Sequence, residues 1–263
     1  MRYLRLAVMF IKSSAQEELA YRANFFIHVF HSFLNLASGI LGVGVIFNQI
    51  NNLAGWNFSA ALTLLGIYLL IEALRALFIG PGFDALVGME GEIGQGKFDF
   101  TLLRPVNTQF FVSFRKWKLF SLFDVGLALG VIGYSFIRSG QIFHPAQIVL
   151  FMLSLTAGML VLYSVLLIFT SFAFWSPGFF FNWAFDAIFQ MARYPVELYP
   201  GWLRLILTWV IPVGVMTTIP VKALTGNLNP ATFLGSLTLA LFLFILSSLI
   251  FRMGIRHYGS ASS

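Results

Sequence analysis

The sequence predicts an all-α integral membrane protein of six transmembrane helices, with an N-terminal interfacial helix and a re-entrant helical hairpin before the last span. Three observations carry that expectation. Of the 263 residues, 59% are hydrophobic and 10% are charged, whereas a soluble domain carries about 25% charged residues; mean hydropathy is +0.85. Uncharged apolar runs of the length a helix needs to cross a bilayer, about 20 residues, recur along the chain. The 16 basic residues, against 10 acidic ones, gather in short segments flanking those runs, where topology and anionic headgroups account for them. That distribution argues against a nucleic-acid partner for the net charge of +6. The chain has no cysteine, which excludes disulfides, thiolate metal sites and thiol nucleophiles.

The elements follow in order. Residues 1–22, MRYLRLAVMFIKSSAQEELAYR, are basic and roughly amphipathic, with Leu4, Val8 and Ile11 at helical spacing, as in an interfacial helix. A cleaved signal peptide fits less well, because the charged region is long and the apolar run after it exceeds a signal core. Spans are expected at 23–47, 60–79, 119–137 and 146–175. The SPGFF stretch then offers Ser176 as N-cap and Pro177 as first helical residue of a shorter fifth helix reaching Ala192. The last span is 233–250. Between the fifth and last spans, prolines 195, 200, 212 and 220 cut an apolar stretch into pieces too short to cross singly. A re-entrant pair of short helices over 193–225, on the extracellular side, fits that pattern. A seventh, kinked span through 205–219 is the competing reading.

Positive charge sets the orientation. With six spans and both termini cytoplasmic, Arg2, Arg5, Lys12, Arg22, Arg75, Lys97, Arg104, Arg115, Lys116, Lys118, Arg252 and Arg256 all lie inside. Arg138, Arg193, Arg204 and Lys222 are left outside. The membrane is then the plasma membrane, crossed many times.

The segment GMEGEIGQGKFDF nearly spells a nucleotide-binding loop, with Gly91, Gly96 and Lys97 at the offsets of G-x-x-x-x-G-K-[ST]. Such a loop needs a hydroxyl after its lysine for magnesium, a strand before it and a helix after it. Here Phe98 replaces the hydroxyl, the preceding IGPGFDALVGM is broken by glycines and proline, and the inter-span segment 80–118 is too short for a nucleotide domain. ATP binding by this chain is therefore not expected. Instead the segment mixes charges (Glu90, Glu92, Lys97, Asp99, Arg104) with apolar residues (Ile93, Phe98, Phe100, Leu102, Leu103). That mixture suits either a docking surface or a turn and short helix lying on the membrane.

Ionisable residues within spans are functional suspects. Glu72 and Arg75 stand three apart, as for a local ion pair. Asp124 is placed to pair with the RKWK cluster at 115–118, and Asp186 sits among aromatics in FFFNWAFDAIFQ. Phe181, Trp183, Asp186 and Phe189 are the candidate lining of a substrate path. His28 and His31 lack a third ligand, so no metal site is expected there. The sequence holds no clustered His/Glu or Ser/His set for an intramembrane enzyme.

Over GEIGQGKFDFTLLRPVN, and over RYPVELYPGWLRLILTWVIPVGVMTTIPVKALTG before the final span, the chain resembles type-2 ABC transporter permeases. The spacing of the six spans agrees over nearly the whole chain. The resemblance implies a dimer, with a second copy or a related permease, exporting a substrate through the membrane. Each subunit would dock on a separate ABC ATPase that carries the Mg-ATP, with no cofactor on this chain. It assigns the segment 80–118 to the coupling surface, including Gly91, Glu92, Gly94, Gly96, Lys97, Asp99, Arg104 and Pro105. The alternative is an ATP-independent channel or secondary carrier, with Asp124 and Asp186 as ion-coupling sites.

Overall fold

The computed structural model describes residues 2–50, 52, 55–140, 144–177 and 181–259, with the backbone alone of Arg2, Phe181, Asn182 and Trp209. In chain order the helices are α1 (Arg2–Ala20), α2 (Arg22–Gln49), α3 (Phe58–Asp84), α4 (Asp99–Leu102) and α5 (Thr108–Phe114). They continue with α6 (Ser121–Ser139), α7 (Pro145–Phe174), α8 (Phe181–Phe189), α9 (Gly201–Leu205), α10 (Val213–Leu224) and α11 (Pro230–His257). Among the described residues there is no strand, and α2, α3, α6, α7 and α11 are long and apolar enough to cross a membrane. The chain is an all-α membrane protein.

Helix α3 is the centre of the bundle. From Phe58 to Ile71 it carries no charge on any face, and Leu64, Leu65, Ile67, Tyr68 and Ile71 are completely buried, as suits a helix enclosed by others. Asn57 caps it by accepting from Ala60 N at 2.8 Å. Gly66 lets α6 approach: a Cβ there would stand 2.7 Å from Ile132 Cγ1. The same contact is tied by Thr63 Oγ1 and Ser135 Oγ, 2.7 Å apart, with Ser135 also donating to Ser59 O. On its other flank Leu65 fits over Gly39 of α2.

The helix does not stop near residue 79 but passes through Pro81. A π-helical turn, Arg75–Ile79, closed by Gly80 N donating to Arg75 O, widens the helix there. Proline has no N–H and crowds the carbonyl four residues back. That carbonyl, Leu77 O, is taken by Lys118 N at 2.9 Å. A second π turn, Ile206–Val210, precedes Pro212 in the same way, closed by Ile211 N donating to Ile206 O at 3.0 Å.

Helix α1 lies against the chain before α6. Phe10 meets Phe111 at 5.6 Å, Tyr3 meets Phe110 at 4.8 Å, Ser14 Oγ accepts from Trp117 N at 3.0 Å and Glu18 Oε2 from Phe120 N at 3.2 Å. Leu4 and Val8 point away, exposed.

The helix expected to run from Pro177 to Ala192 is shorter, because α8 has nine residues, about 13 Å at 1.5 Å per residue, against a hydrocarbon thickness of about 30 Å. The chain continues through 3₁₀ turns at Gln190–Arg193 and Val196–Leu198. Between them Tyr194 is extended (φ −120°, ψ 152°), as a residue before proline prefers. Asp186 contacts Arg75 low on α3, while Glu197 lines a polar cavity with Trp56 and Asn57 at the helix's start. This broken segment therefore links the two ends of the bundle. Tyr199 Oη, donating to Met191 O at 2.8 Å, and Arg204, donating to Glu197 O at 2.6 Å, satisfy carbonyls the breaks expose.

Beyond it, Gly201–Thr208 and Val213–Leu224 are bent against each other by 59° at a break that contains Pro212. Lys222 Nζ lies 3.4 Å from Glu197 Oε1, so the stretch returns to within one ion pair of its start. Midway it touches α7, where a Cβ on Gly158 would lie 2.9 Å from Met216 O. Replacing Gly158 by Ala pushes on backbone and is expected to destabilise by about 1–3 kcal/mol. Gly133→Ala on α6, whose Cβ would meet open space, is expected to stabilise by about 0.5–1 kcal/mol. Thermal unfolding in detergent, reading the two variants with opposite signs, checks this.

Candidate functional site

Two regions hold the residues singled out from the sequence: the loop between α3 and α5, and a ladder of polar contacts inside the bundle. In the loop, Glu92 N donates to Ala85 O, Ile93 N to Leu86 O and Phe98 N to Glu92 O, at 3.1, 3.3 and 3.1 Å. Gly88 and Gly96 make the turns at φ 85° and 69°, a region open to glycine. Gly91 packs so tightly on the carbonyls of Leu86 and Val87 that a Cβ would collide.

Phe98 sets the loop's position. It is completely buried, its ring edge-on to Phe174 and to Tyr258, each 5.3 Å away. The loop is thereby keyed to the ends of α7 and α11. Glu92 faces inward, 2.8 Å from Arg115 Nη1 and accepting from Thr101 Oγ1 at 3.2 Å. Phe98 and Ile93, two of the apolar residues that made the segment a candidate docking surface, are core residues. The outer surface is formed by Met89, Phe100 and Leu103, 75%, 70% and 80% exposed, with Gly94, Lys97, Arg104 and Pro105 also exposed. Arg104 is held by stacking its guanidinium 4.7 Å above the Phe111 ring. Asp99 opens α4, and burial together with the Asp99 carboxylate raises the Tyr258 phenol above its usual pKa. Lys97 leads into a four-residue helix rather than the long helix whose amino end a phosphate needs.

Inside the bundle the charged groups pair differently from their sequence spacing. Arg75 reaches across to Asp186 of α8 at 2.5 Å rather than to Glu72, and stacks over Phe185 at 5.4 Å. Glu72 accepts from Asn35 Nδ2 of α2 at 3.4 Å. Asp124 meets His28 Nε2 at 2.9 Å instead of the 115–118 cluster, whose Arg115 serves Glu92. His28, His31, Glu72, Lys118 and Asp124 border one cavity of about 160 Å³. Among the described residues no group of three or more His, Cys, Asp or Glu is placed to hold a metal ion.

Arg193 is the member that sequence reasoning missed. It donates to Asn35 Oδ1 at 2.7 Å and Ser38 Oγ at 3.2 Å, and lies 5.3 Å over the Tyr68 ring. Its signal was a lone arginine in an apolar stretch, two residues before a proline. Of the expected path lining, Trp183 is 73% exposed and Phe189 is buried, stacked on Phe185 at 5.6 Å and tilted against Tyr68 at 5.3 Å. The Phe181 side chain lies outside the described residues.

Residues 33–262 match the family described as ABC-2 family transporter protein. No match is found among curated proteins or solved structures.

The near P-loop yields a sharp expectation. Phe98→Ser completes the consensus motif, yet removes a fully buried ring at a cost of about 3–5 kcal/mol. The variant is expected to unfold earlier than the parent and, like the parent, to give no heat with Mg-ATP. Stoichiometric Mg-ATP binding by either isolated protein in calorimetry would refute the assignment.

Proposed function

The chain belongs to the ABC-2 transporter family as a transmembrane permease subunit, and from that we propose that it forms the substrate path of an ATP-driven exporter. It acts as a dimer, with a second copy or a related permease, and couples to a separate ATPase subunit that binds the Mg-ATP. The observation that carries this reading is the exposed trio Met89, Phe100 and Leu103 beside Arg104, on a loop keyed into the bundle by Phe98. Apolar anchors flanked by an oriented arginine have the composition of a docking patch.

The mechanism follows from what the loop is attached to. Closure of the ATPase subunits pushes on 89–105, and Phe98 passes the displacement to the ends of α7 and α11 through Phe174 and Tyr258. Lys118 N, bound to Leu77 O, passes it to α3. Rigid tilting of these helices alternates access to a path at the subunit interface, where exposed Trp183 supplies aromatic lining and Asp186 orients through Arg75. An ion-coupled carrier fits less well, because Asp124, Asp186 and Glu72 each engage a partner within the chain.

In this reading the Phe98 end and both termini are cytoplasmic in the plasma membrane, and the bent α9–α10 pair is a hairpin dipping in from outside. Leu103→Glu and Arg104→Glu should leave membrane insertion intact and weaken ATPase binding by about 30-fold, the effect of losing a hot-spot contact of roughly 2 kcal/mol. Undiminished co-purification with unchanged transport-coupled hydrolysis would sink the coupling role. Single cysteines at positions 197, 227 and 259 of this cysteine-free chain report topology with a membrane-impermeant thiol reagent on intact cells. Labelling is expected at 197 and 227 and absent at 259; labelling at 259 overturns the orientation.

A further inference from the structure

A groove of about 630 Å³ lies between α5, α7 and α11 at the Phe98 end of the bundle. Its α11 wall is made by Arg252, Leu249, Ser248, Ile245 and Phe244, positions whose spacing puts them on one helical face. From Arg252 to Phe244 the wall runs about 12 Å at 1.5 Å per residue. The groove changes character along that length. At the rim stands Arg252, the charged member among the described lining residues. One turn deeper, Ser248 Oγ accepts from Gln109 Nε2 at 3.0 Å, and the same amide donates to Tyr163 Oη at 3.1 Å. Beyond them the walls are Leu160, Phe244 and Ile245, with Ile245 60% exposed.

A cation, then a band of neutral hydrogen-bonding groups, then hydrocarbon is the polarity profile of a phospholipid read from phosphate through glycerol ester to acyl chain. We propose that this groove holds one anionic phospholipid of the adjoining leaflet, with its phosphate on Arg252 and an acyl chain along Leu160, Phe244 and Ile245. A lining that carries a cation and no carboxylate favours an anionic over a zwitterionic headgroup. A second copy of the chain fits the groove less well. Its most exposed spans, α2 and α11, contain no acidic residue, so either would cover Arg252 without a counter-charge, at high cost in a low-dielectric setting.

The test is native mass spectrometry of the full chain released from nanodiscs of phosphatidylglycerol mixed equally with phosphatidylcholine. The parent should retain one phosphatidylglycerol in preference to phosphatidylcholine. Arg252→Gln should cut that preference about fivefold, the factor for roughly 1 kcal/mol per basic residue at an anionic surface. Arg252→Lys should keep most of it. Ile245→Trp, which fills the groove, should remove the retained lipid of either class; if that variant does not fold, Leu249→Trp takes its place. A parent that retains no lipid or shows no headgroup preference overturns the proposal. So does an Arg252→Gln variant with the parent's preference, or a 245-to-245 cysteine crosslink between two copies forming in place of the lipid adduct.

Discussion

Water is missing at bilayer depth, and the arrangement of this chain follows from that constraint. A charge there must find its partner in protein. Arg75 and Asp186 satisfy each other across two elements, 111 positions apart in the chain (186 − 75) and 2.5 Å apart in space. The same requirement draws Arg193 onto Asn35 and Ser38, and Asp124 onto His28. The third of these sets of contacts ties α6 to α2, and the first two hold the short α8 and its 3₁₀ extensions against α3 and α2. Without them the segment has too little regular helix to place itself.

The backbone obeys the same rule. Each proline inside an apolar stretch frees a carbonyl that hydrocarbon will not solvate. At Pro81 the freed Leu77 carbonyl is met by Lys118 N, which is why α3 continues to Asp84 and why the chain entering α6 is fastened to it. Near Pro195 and Pro200 the carbonyls are met by Tyr199 and Arg204. The breaks at Pro81, Pro195 and Pro200 are thus each matched by a donor to an exposed carbonyl.

Phe98 joins this interior to the surface proposed for coupling. A phenylalanine where a nucleotide-binding loop needs a hydroxyl removes one chemistry and supplies another. Its ring, enclosed by Phe174 and Tyr258, fastens the loop to the ends of α7 and α11, and in the proposed coupling the loop acts on them as a lever. The groove proposed to hold phospholipid shares α11 with that lever, so a lipid seated there would lie against a helix that coupling is proposed to move.

The sequence by itself determined the class of the protein and much of its outline. Long uncharged runs and scarce charges require helices in a bilayer, since few other structures satisfy the backbone there, and the long helices lie close to where those runs put them. The missing hydroxyl at 98 and the absence of cysteine were equally legible, because they depend on residue identity alone. Tertiary structure decided the pairings. Glu72 and Arg75 are neighbours on one helix by spacing, yet each turns to a different element, because charges at depth choose among every partner the packing brings near. It also decided which loop residues face out: Phe98 and Phe100 are two apart and chemically alike, and Phe174 and Tyr258, brought from distant positions, enclose the first and leave the second exposed. The course of the segment 181–199 was likewise out of reach, since it rests on side chains of α2 and α3 that no local pattern places beside it.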